Sequence, residues 1–489
     1  MKTVVITNAY FYKLDPKQWV AKQPFPPLGT LYAAEILRSN GYNVSFCDST
    51  LAESPSHILD ALQSNRPDYF VIYDDGFNYL TKMCLTVMRE AAIEMQKLAK
   101  GLGCTVITSS SDSTDHFAKY LSEGADFIIQ GEGEITLLEL LNKLSTQSDL
   151  SHVYGLTFTS NQGFVVTPRR QVIKNLDELP LPAWDLVSIE NYRSIWLGNH
   201  PHFYLNVATT RGCPYKCNWC AKPIYGNRYN SRTPQKVVGE LKYLFHRYGI
   251  DHFWICDDIF GLKPGWLNEF EEAIIKAGLK IKYKIQSRAD LLQEEHNLQA
   301  LVNSGLDEAW IGAESGSQKV LNAMDKGITI SQIYKTTQML KQHRVKVGFF
   351  IQFGYPAETI ADIRLTFKMV LDLMPDALGI SVSYPLPGTP FYQAVKEDLK
   401  QKANWTDSDD LAIMFKHRYP PQFYKLLHRF LHRLYRCKKL RMELLTKIKS
   451  AQLGFGLILL KWGYHTANAA IEFFQLAWIE RTTPSPKHT

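Results

Sequence analysis

Three cysteines, Cys213, Cys217 and Cys220, stand at CxxxCxxC spacing in the run Thr210-Arg211-Gly212-Cys213-Pro214-Tyr215-Lys216-Cys217-Asn218-Trp219-Cys220. Thiolates this close on one loop suit iron–sulfur ligation, and a four-iron cluster normally takes four of them. Only three are local here. An iron without a protein ligand is an open coordination position, which a metal needs in order to bind and act on a small molecule. The competing readings are a zinc site and cysteines that only fill a core. Zinc sites generally use paired CxxC or His spacings, and no second pair or His at ligand spacing stands nearby. The spacing and the position directly after a predicted strand favour the cluster.

Other polar residues also close predicted strands. Asp257 and Asp258 follow Phe253–Cys256, Ser287-Arg288 and Glu314-Ser315-Gly316 end later strands, and Gln352-Phe353-Gly354 ends another. Each has a plainer role available: a turn acid, a salt bridge, a turn glycine. Nearer the N-terminus, Gly131-Glu132-Gly133-Glu134 joins a strand to a helix. Its glycines let backbone approach a ligand, and the helix start favours an anionic group. The plainer reading is a tight turn whose acids complement the helix dipole. Ser109-Ser110-Ser111-Asp112 offers hydroxyls after the preceding strand.

These residues need elements to position them. Residues 1–145 alternate β-rich runs, at Val4–Thr7, Val44–Phe46, Phe70–Tyr73, Val106–Thr108 and Phe127–Ile129, with amphipathic stretches of helical length. That pattern predicts an α/β fold, a doubly wound, Rossmann-like parallel sheet with its ligand crevice at the carboxyl ends of the strands. Residues 146–202 read as a connector with a hairpin around Thr159–Gly163 and a proline-rich stretch at Leu179–Trp184. Over 203–392 six strands alternate with helices, predicting a partial, TIM-like (β/α)6 barrel. Residues 393–489 form a basic helical region, with 411–450 read as helix.

The cysteine loop is similar to that of the radical S-adenosylmethionine (SAM) superfamily, whose signature is CxxxCxxC with an aromatic residue, here Trp219, before the last cysteine. The resemblance covers about residues 203–392. It implies a [4Fe-4S] cluster on Cys213, Cys217 and Cys220, with SAM bound through its amino and carboxylate groups at the open iron and cleaved by one electron to methionine and a 5′-deoxyadenosyl radical. It further implies that Asp257 or Asp258 receives the SAM ammonium, where the superfamily often has Gly-Gly-Glu, that Ser287 and Arg288 take its carboxylate, and that Glu314, Gln352 and Gly354 line ribose and adenine. A doubly wound domain before such a barrel resembles the cobalamin-binding branch, in layout like the anaerobic Mg-protoporphyrin monomethyl ester cyclase and the cobalamin-dependent methyltransferases. Pro26-Pro27-Leu28-Gly29-Thr30 and the Gly124–Glu134 run carry that likeness, implying contacts from Gly29, Thr30, Ser109, Ser110, Gly131, Glu132 and Gly133. No Asp-x-His-x-x-Gly pattern is present, so the cobalamin is expected base-off.

The expected reaction is methyl transfer to an unactivated carbon, with oxidative cyclisation or rearrangement as the alternative and a non-catalytic cobalamin or iron–sulfur sensor as the reading from another class. A low-potential donor of flavodoxin or ferredoxin type is implied as electron source. Composition agrees with a globular chain, 45% apolar and 21% charged over 489 residues, and its eight uneven cysteines suit a reducing cytoplasm better than a disulfide framework. The N-terminus runs directly into a strand, so no export is expected. The net charge of +7 is concentrated in 411–450, where eleven Lys or Arg face the single acid Glu443. Beside an apolar stripe, that cluster reads as a helix packed on the barrel or as a membrane-surface contact, and it suggests an apolar small-molecule substrate. Aromatic platforms do not interleave with the charges, which argues against nucleic acid.

Overall fold

The computed structural model describes residues 2–222, 224–399, 404–417, 419–449 and 455–483. The parts of the expected helical region at 400–403, 418, 450–454 and 484–489 lie outside the described residues.

The first sheet takes its strands from β1 (Thr3–Thr7), β2 (Asn43–Cys47), β3 (Tyr69–Tyr73), β4 (Thr105–Ser109) and β5 (Phe127–Ile129), in the spatial order 2-1-3-4-5 and all parallel. β3 is an unbroken apolar run buried at every residue, as a central strand covered by helices on both faces requires. The chain reverses direction across the sheet between β1 and β3, and a doubly wound sheet opens its ligand crevice at that point. The hairpin expected around Thr159–Gly163 is β6 (Leu156–Ser160) with β7 (Gly163–Val166). It does not stand alone: β6 pairs antiparallel with β5, so the first sheet continues through residue 166.

The short pair β9 (Thr210–Arg211) and β10 (Asn230–Ser231) brackets the cysteine loop, just beyond β8 (Leu205–Val207). β8 opens the second sheet, continued by β11 (His252–Ile255), β12 (Lys282–Ser287), β13 (Leu306–Glu314), β14 (Lys346–Phe353) and β15 (Ala377–Val382), in sequential parallel order. This is the open six-stranded barrel that the alternation predicted. Its helices are delimited by local chemistry. Thr233 caps Pro234–Tyr248 and Gly249 ends it at φ +65°, while Thr329–Gln332 and Thr359–Asp362 form reciprocal capping boxes.

After the barrel the structure departs from an all-helical reading. Residues 404–408 bend and turn against the first domain, where Thr86 N–H donates to the Trp405 carbonyl (2.9 Å) and Ser408 Oγ to Asp15 (2.6 Å). The helix expected over 411–450 begins only at Pro421, because Pro420-Pro421 disfavours helix before it and suits a first helical position. Helices Pro421–Lys449 and Gly456–Thr482 then form an antiparallel hairpin, joined by a buried Glu472 that accepts from Arg433 (2.9 Å). Lys438 donates to the Leu371 carbonyl (2.6 Å), fixing the first of the two helices to the barrel.

Candidate active site at the facing strand ends

The cysteine loop begins where Asp257, at the end of β11, accepts the N–H groups of Thr209 (2.7 Å) and Thr210 (3.0 Å). Its carboxyl, pushed up to about 6 by burial, is thus spent on fixing the strand end that leads into Cys213. Gly212 follows at φ +83°, and a Cβ there would lie 2.4 Å from the Arg228 carbonyl, so only glycine fits.

Asn218, between the second and third cysteines, fastens the loop on every side. Its N–H donates to the Met324 carbonyl (3.1 Å), its side-chain amide to the Ala323 carbonyl (2.6 Å), and its carbonyl accepts from Phe391 (3.0 Å). Tyr355 Oη donates to its side-chain oxygen at 2.8 Å. The three thiols are all free, Cys213 buried and the other two half-buried. Burial raises Cys213, and burial with the Asp258 charge pushes Cys220 up to about 12, so taking up iron must release their protons. Among the described residues no three ligating side chains converge on one point. A cubane does not require that, since each iron takes its own thiolate. The donor set is all sulfur, as a cluster prefers. Cys256 adds no fourth: its thiol donates to the Val207 carbonyl at 3.2 Å.

Two ammonium groups flank the loop. Lys326 pairs with Glu314 (2.8 Å) and Lys82, from the first domain, with Asp258 (2.8 Å). Burial works against both charges, but their acids, together with Cys217 and Cys220 respectively, more than restore them. Room for Lys326 comes from Gly312, whose added Cβ would sit 2.5 Å from the ammonium nitrogen. A register shift between Gly312 and Glu314, with Glu314 at φ +55°, turns the carboxylate toward it.

The barrel's strand ends and the cysteine loop hold polar atoms that the protein leaves unpartnered: Ser287 Oγ, Gln352 Oε1 and Trp219 Nε1. Buried donors and acceptors without partners are costly, so this set suits a polar ligand such as SAM. Other sequence-selected groups are already engaged. Arg288 forks onto Asp290 (2.9 and 3.1 Å), donates to the Lys326 and Gly327 carbonyls and lies 3.8 Å over Tyr215, so its two-point geometry is used within the protein. Gly354 makes a turn at φ +78° whose N–H donates to Glu358 (2.6 Å).

On the first sheet, Gly29 N–H donates to Asp75 (3.1 Å), Thr30 Oγ1 to the Tyr73 carbonyl (2.6 Å), and Ser110 caps a short helix through Ser113. Gly133 is packed against the protein: a Cβ would lie 2.9 Å from both Ile129 Cγ2 and Ser109 Oγ. Gly131 adopts φ +75°. A narrow crevice at the switch point is lined by Ala9, Tyr10, Asp74, Ser110 and Asp112, and burial pushes the Asp74 carboxyl up to about 7. Beside it Asn8 keeps a buried side-chain oxygen unpartnered, so a hydrogen-bonding ligand fits this end of the sheet.

The two strand-end faces meet. Arg211 pairs with Glu132 and, at 2.8 Å, with Glu134, and its guanidinium lies 5.3–5.5 Å from the rings of Tyr32, Phe77 and Tyr225. Ile224, just past the cysteines, covers Gly76, where an added Cβ would stand 2.5 Å from it. Sequence reasoning passed over Asn218, Arg211, Lys326 and Lys82. The first two sit inside the cysteine run and were available there; no local pattern marks the lysines.

Residues 207–370 match the Radical SAM superfamily. The chain is 28% identical over 415 residues to an uncharacterized methyltransferase of Pyrococcus horikoshii, covering 83% of this chain and 86% of that protein. It is 26% identical over 390 residues to the anaerobic magnesium-protoporphyrin IX monomethyl ester cyclase of Rubrivivax gelatinosus, covering 77% and 67%. In fold it resembles the cobalamin-dependent SAM radical enzyme OxsB, solved with aqua-cobalamin and SAM bound (TM-score 0.72, 17% identity, 97% of this chain and 72% of that one). It also resembles the radical SAM methyltransferase TsrM of Kitasatospora setae, solved with cobalamin and a [4Fe-4S] cluster (TM-score 0.68, 16% identity, 81% and 75%).

Proposed function

We propose, from the radical SAM domain at residues 207–370, that this chain is a cobalamin-dependent radical SAM enzyme that functionalises an unactivated C–H bond by methyl transfer. The observation that carries this is the junction of the two strand-end faces, where Arg211, two residues before Cys213, is ion-paired to the Glu132 and Glu134 turn of the first sheet. Held by Cys213, Cys217 and Cys220, a cluster would supply the electron for reductive cleavage of SAM, and cobalamin held at the first sheet's strand ends would supply the methyl group.

In this reading Cys213, Cys217 and Cys220 hold the cluster, Trp219, Ser287 and Gln352 offer their free polar atoms to SAM, and Asp257, Asp258, Arg288, Glu314 and Gly354 position the loops around it. Gly29, Thr30, Ser109, Ser110, Gly131, Glu132 and Gly133 shape the cobalamin face, and Asn8 gives its free oxygen to that cofactor. The reading divides the chain into a cobalamin domain (1–145), a connector (146–202), the barrel (203–392) and the basic helical region (393–489). It includes a flavodoxin- or ferredoxin-type donor, an apolar small-molecule substrate, and a cytoplasmic protein peripheral to the membrane. Among the described residues no helix is long and apolar enough to cross a membrane. Cyclisation is the second reading, favoured by the similarity to the Rubrivivax cyclase.

The test is anaerobic reconstitution with iron, sulfide and cobalamin, then reduction in the presence of SAM. Formation of 5′-deoxyadenosine, abolished by Cys217→Ala, is expected; its absence with every reductant sinks the reading. With candidate substrates, a product heavier by one CH2 identifies methylation, and loss of hydrogen without added carbon identifies cyclisation.

A further inference from the structure

The helix Gly456–Thr482 has two apolar faces, and among the described residues only one of them is covered. Ile458, Ala469 and Leu476, with Glu472 between them, are buried against the helix Pro421–Lys449. On a second stripe, Leu457, Leu460, Tyr464, Ile471, Phe474 and Trp478 recur three, four or seven residues apart and all are exposed, Leu460 at 73%, Phe474 at 71% and Trp478 at 67%. Leu459, Trp462 and Phe473 beside them are also exposed, as are Met442, Leu445, Ile448 and Phe455 toward the end where the two helices meet. Apolar surface on this scale marks an interaction site.

The neighbouring helix supplies a charge signature. Pro421–Lys449 carries nine lysines and arginines against the single acid Glu443, and Arg436, Lys439 and Arg441 are exposed. We propose that this hairpin lies on an anionic lipid surface, with the Leu457–Trp478 stripe buried among the acyl chains and the cations of Pro421–Lys449 on the headgroups. Helices of this kind lie in the interface plane, Trp and Tyr favour headgroup depth, and each cation near an anionic surface adds about 1 kcal/mol.

A second copy fits the stripe less well. Its flanking positions are Lys461, Asn468 and Gln475 on one side and Gly463, Ala470 and Ala477 on the other, which offer no opposite charges to set a helix pairing. Pairing two copies also brings two strongly cationic helices together. The proposal deepens the membrane-peripheral part of the reading above and is independent of its cofactor chemistry, since neither the exposed stripe nor the cations belong to a cofactor site.

Flotation of the full chain with vesicles of equal parts phosphatidylcholine and phosphatidylglycerol tests it, with phosphatidylcholine alone as comparison. Binding to the anionic vesicles is expected to be at least about tenfold stronger and to weaken with salt. Leu460→Glu with Phe474→Glu, at exposed positions, is expected to reduce binding by about tenfold or more, as is Lys439→Glu with Arg441→Glu. Unchanged melting midpoints separate lost binding from lost fold. Absence of flotation at low salt, or flotation that both double variants leave unchanged, overturns the proposal. So does a concentration-dependent dimer in light scattering that the Leu460 and Phe474 changes dissolve while vesicles go unbound, since that assigns the stripe to a second copy.

Discussion

Arg211 and Glu134 meet at 2.8 Å in the buried junction between the barrel and the first sheet. Arg211 stands just before the cysteine loop, and Glu134 opens the helix after β5. Glu132 completes the triad, its carboxyl raised by burial in spite of the guanidinium beside it. Arg211→Met leaves two carboxyls without their cation and is expected to cost about 3–5 kcal/mol in urea unfolding. Replacing all three with apolar residues of similar volume is expected to cost less than that single change.

Asn218→Ala removes the side-chain amide that Ala323 accepts and the acceptor for Tyr355. The expected loss of stability is about 1–3 kcal/mol, and it falls on the loop itself. Iron bound per chain after reconstitution, and the electron paramagnetic resonance signal of the reduced cluster, should both drop. Full iron content with an unchanged signal would sink the assignment of Asn218 as the loop's clamp.

Glu358, buried and accepting from Gly354 N–H, has its carboxyl raised by burial from 4.5 to about 8. Between those values the folded protein holds a proton that the unfolded chain releases. This group's contribution is therefore most favourable below pH 4.5 and is lost as pH rises toward 8, at up to about 1.4 kcal/mol per pH unit. Glu358→Gln copies the protonated form and is expected to flatten that part of the curve of urea midpoint against pH.

Gly131 and Gly133 separate two reasons for glycine. An added Cβ at Gly133 meets Ile129 and Ser109 at 2.9 Å, whereas at Gly131 it meets only the Ile224 carbonyl at 3.7 Å but on a backbone at φ +75°. Gly133→Ala should cost about 1–3 kcal/mol from overpacking, and Gly131→Ala about 1 kcal/mol from backbone strain. Thermal unfolding of the two variants gives the order; a larger loss at Gly131 contradicts it.

The strands and the six-unit barrel were legible because each depends on near neighbours. An apolar run such as Tyr69–Tyr73 declares a buried strand by composition, and Cys213, Cys217 and Cys220 share one loop because they lie within eight residues of one another. The helix expected from residue 411 starts late for a local reason too, the Pro420-Pro421 pair.

Partnership was decided only in three dimensions. Asp257 and Arg288 have side chains suited to SAM's ammonium and carboxylate, but hydrogen-bond satisfaction in the buried barrel commits one to the backbone of Thr209 and Thr210 and the other to Asp290. Lys82 reaches Asp258, and Asn404 reaches the Cys84 carbonyl at 3.1 Å, across separations that no periodicity encodes. Short-range sterics, burial and spacing were enough to say which elements form and that the three thiols share one loop. Which polar groups remain free for a ligand depends on the fold, because a buried donor or acceptor is available only if folding has brought it no partner.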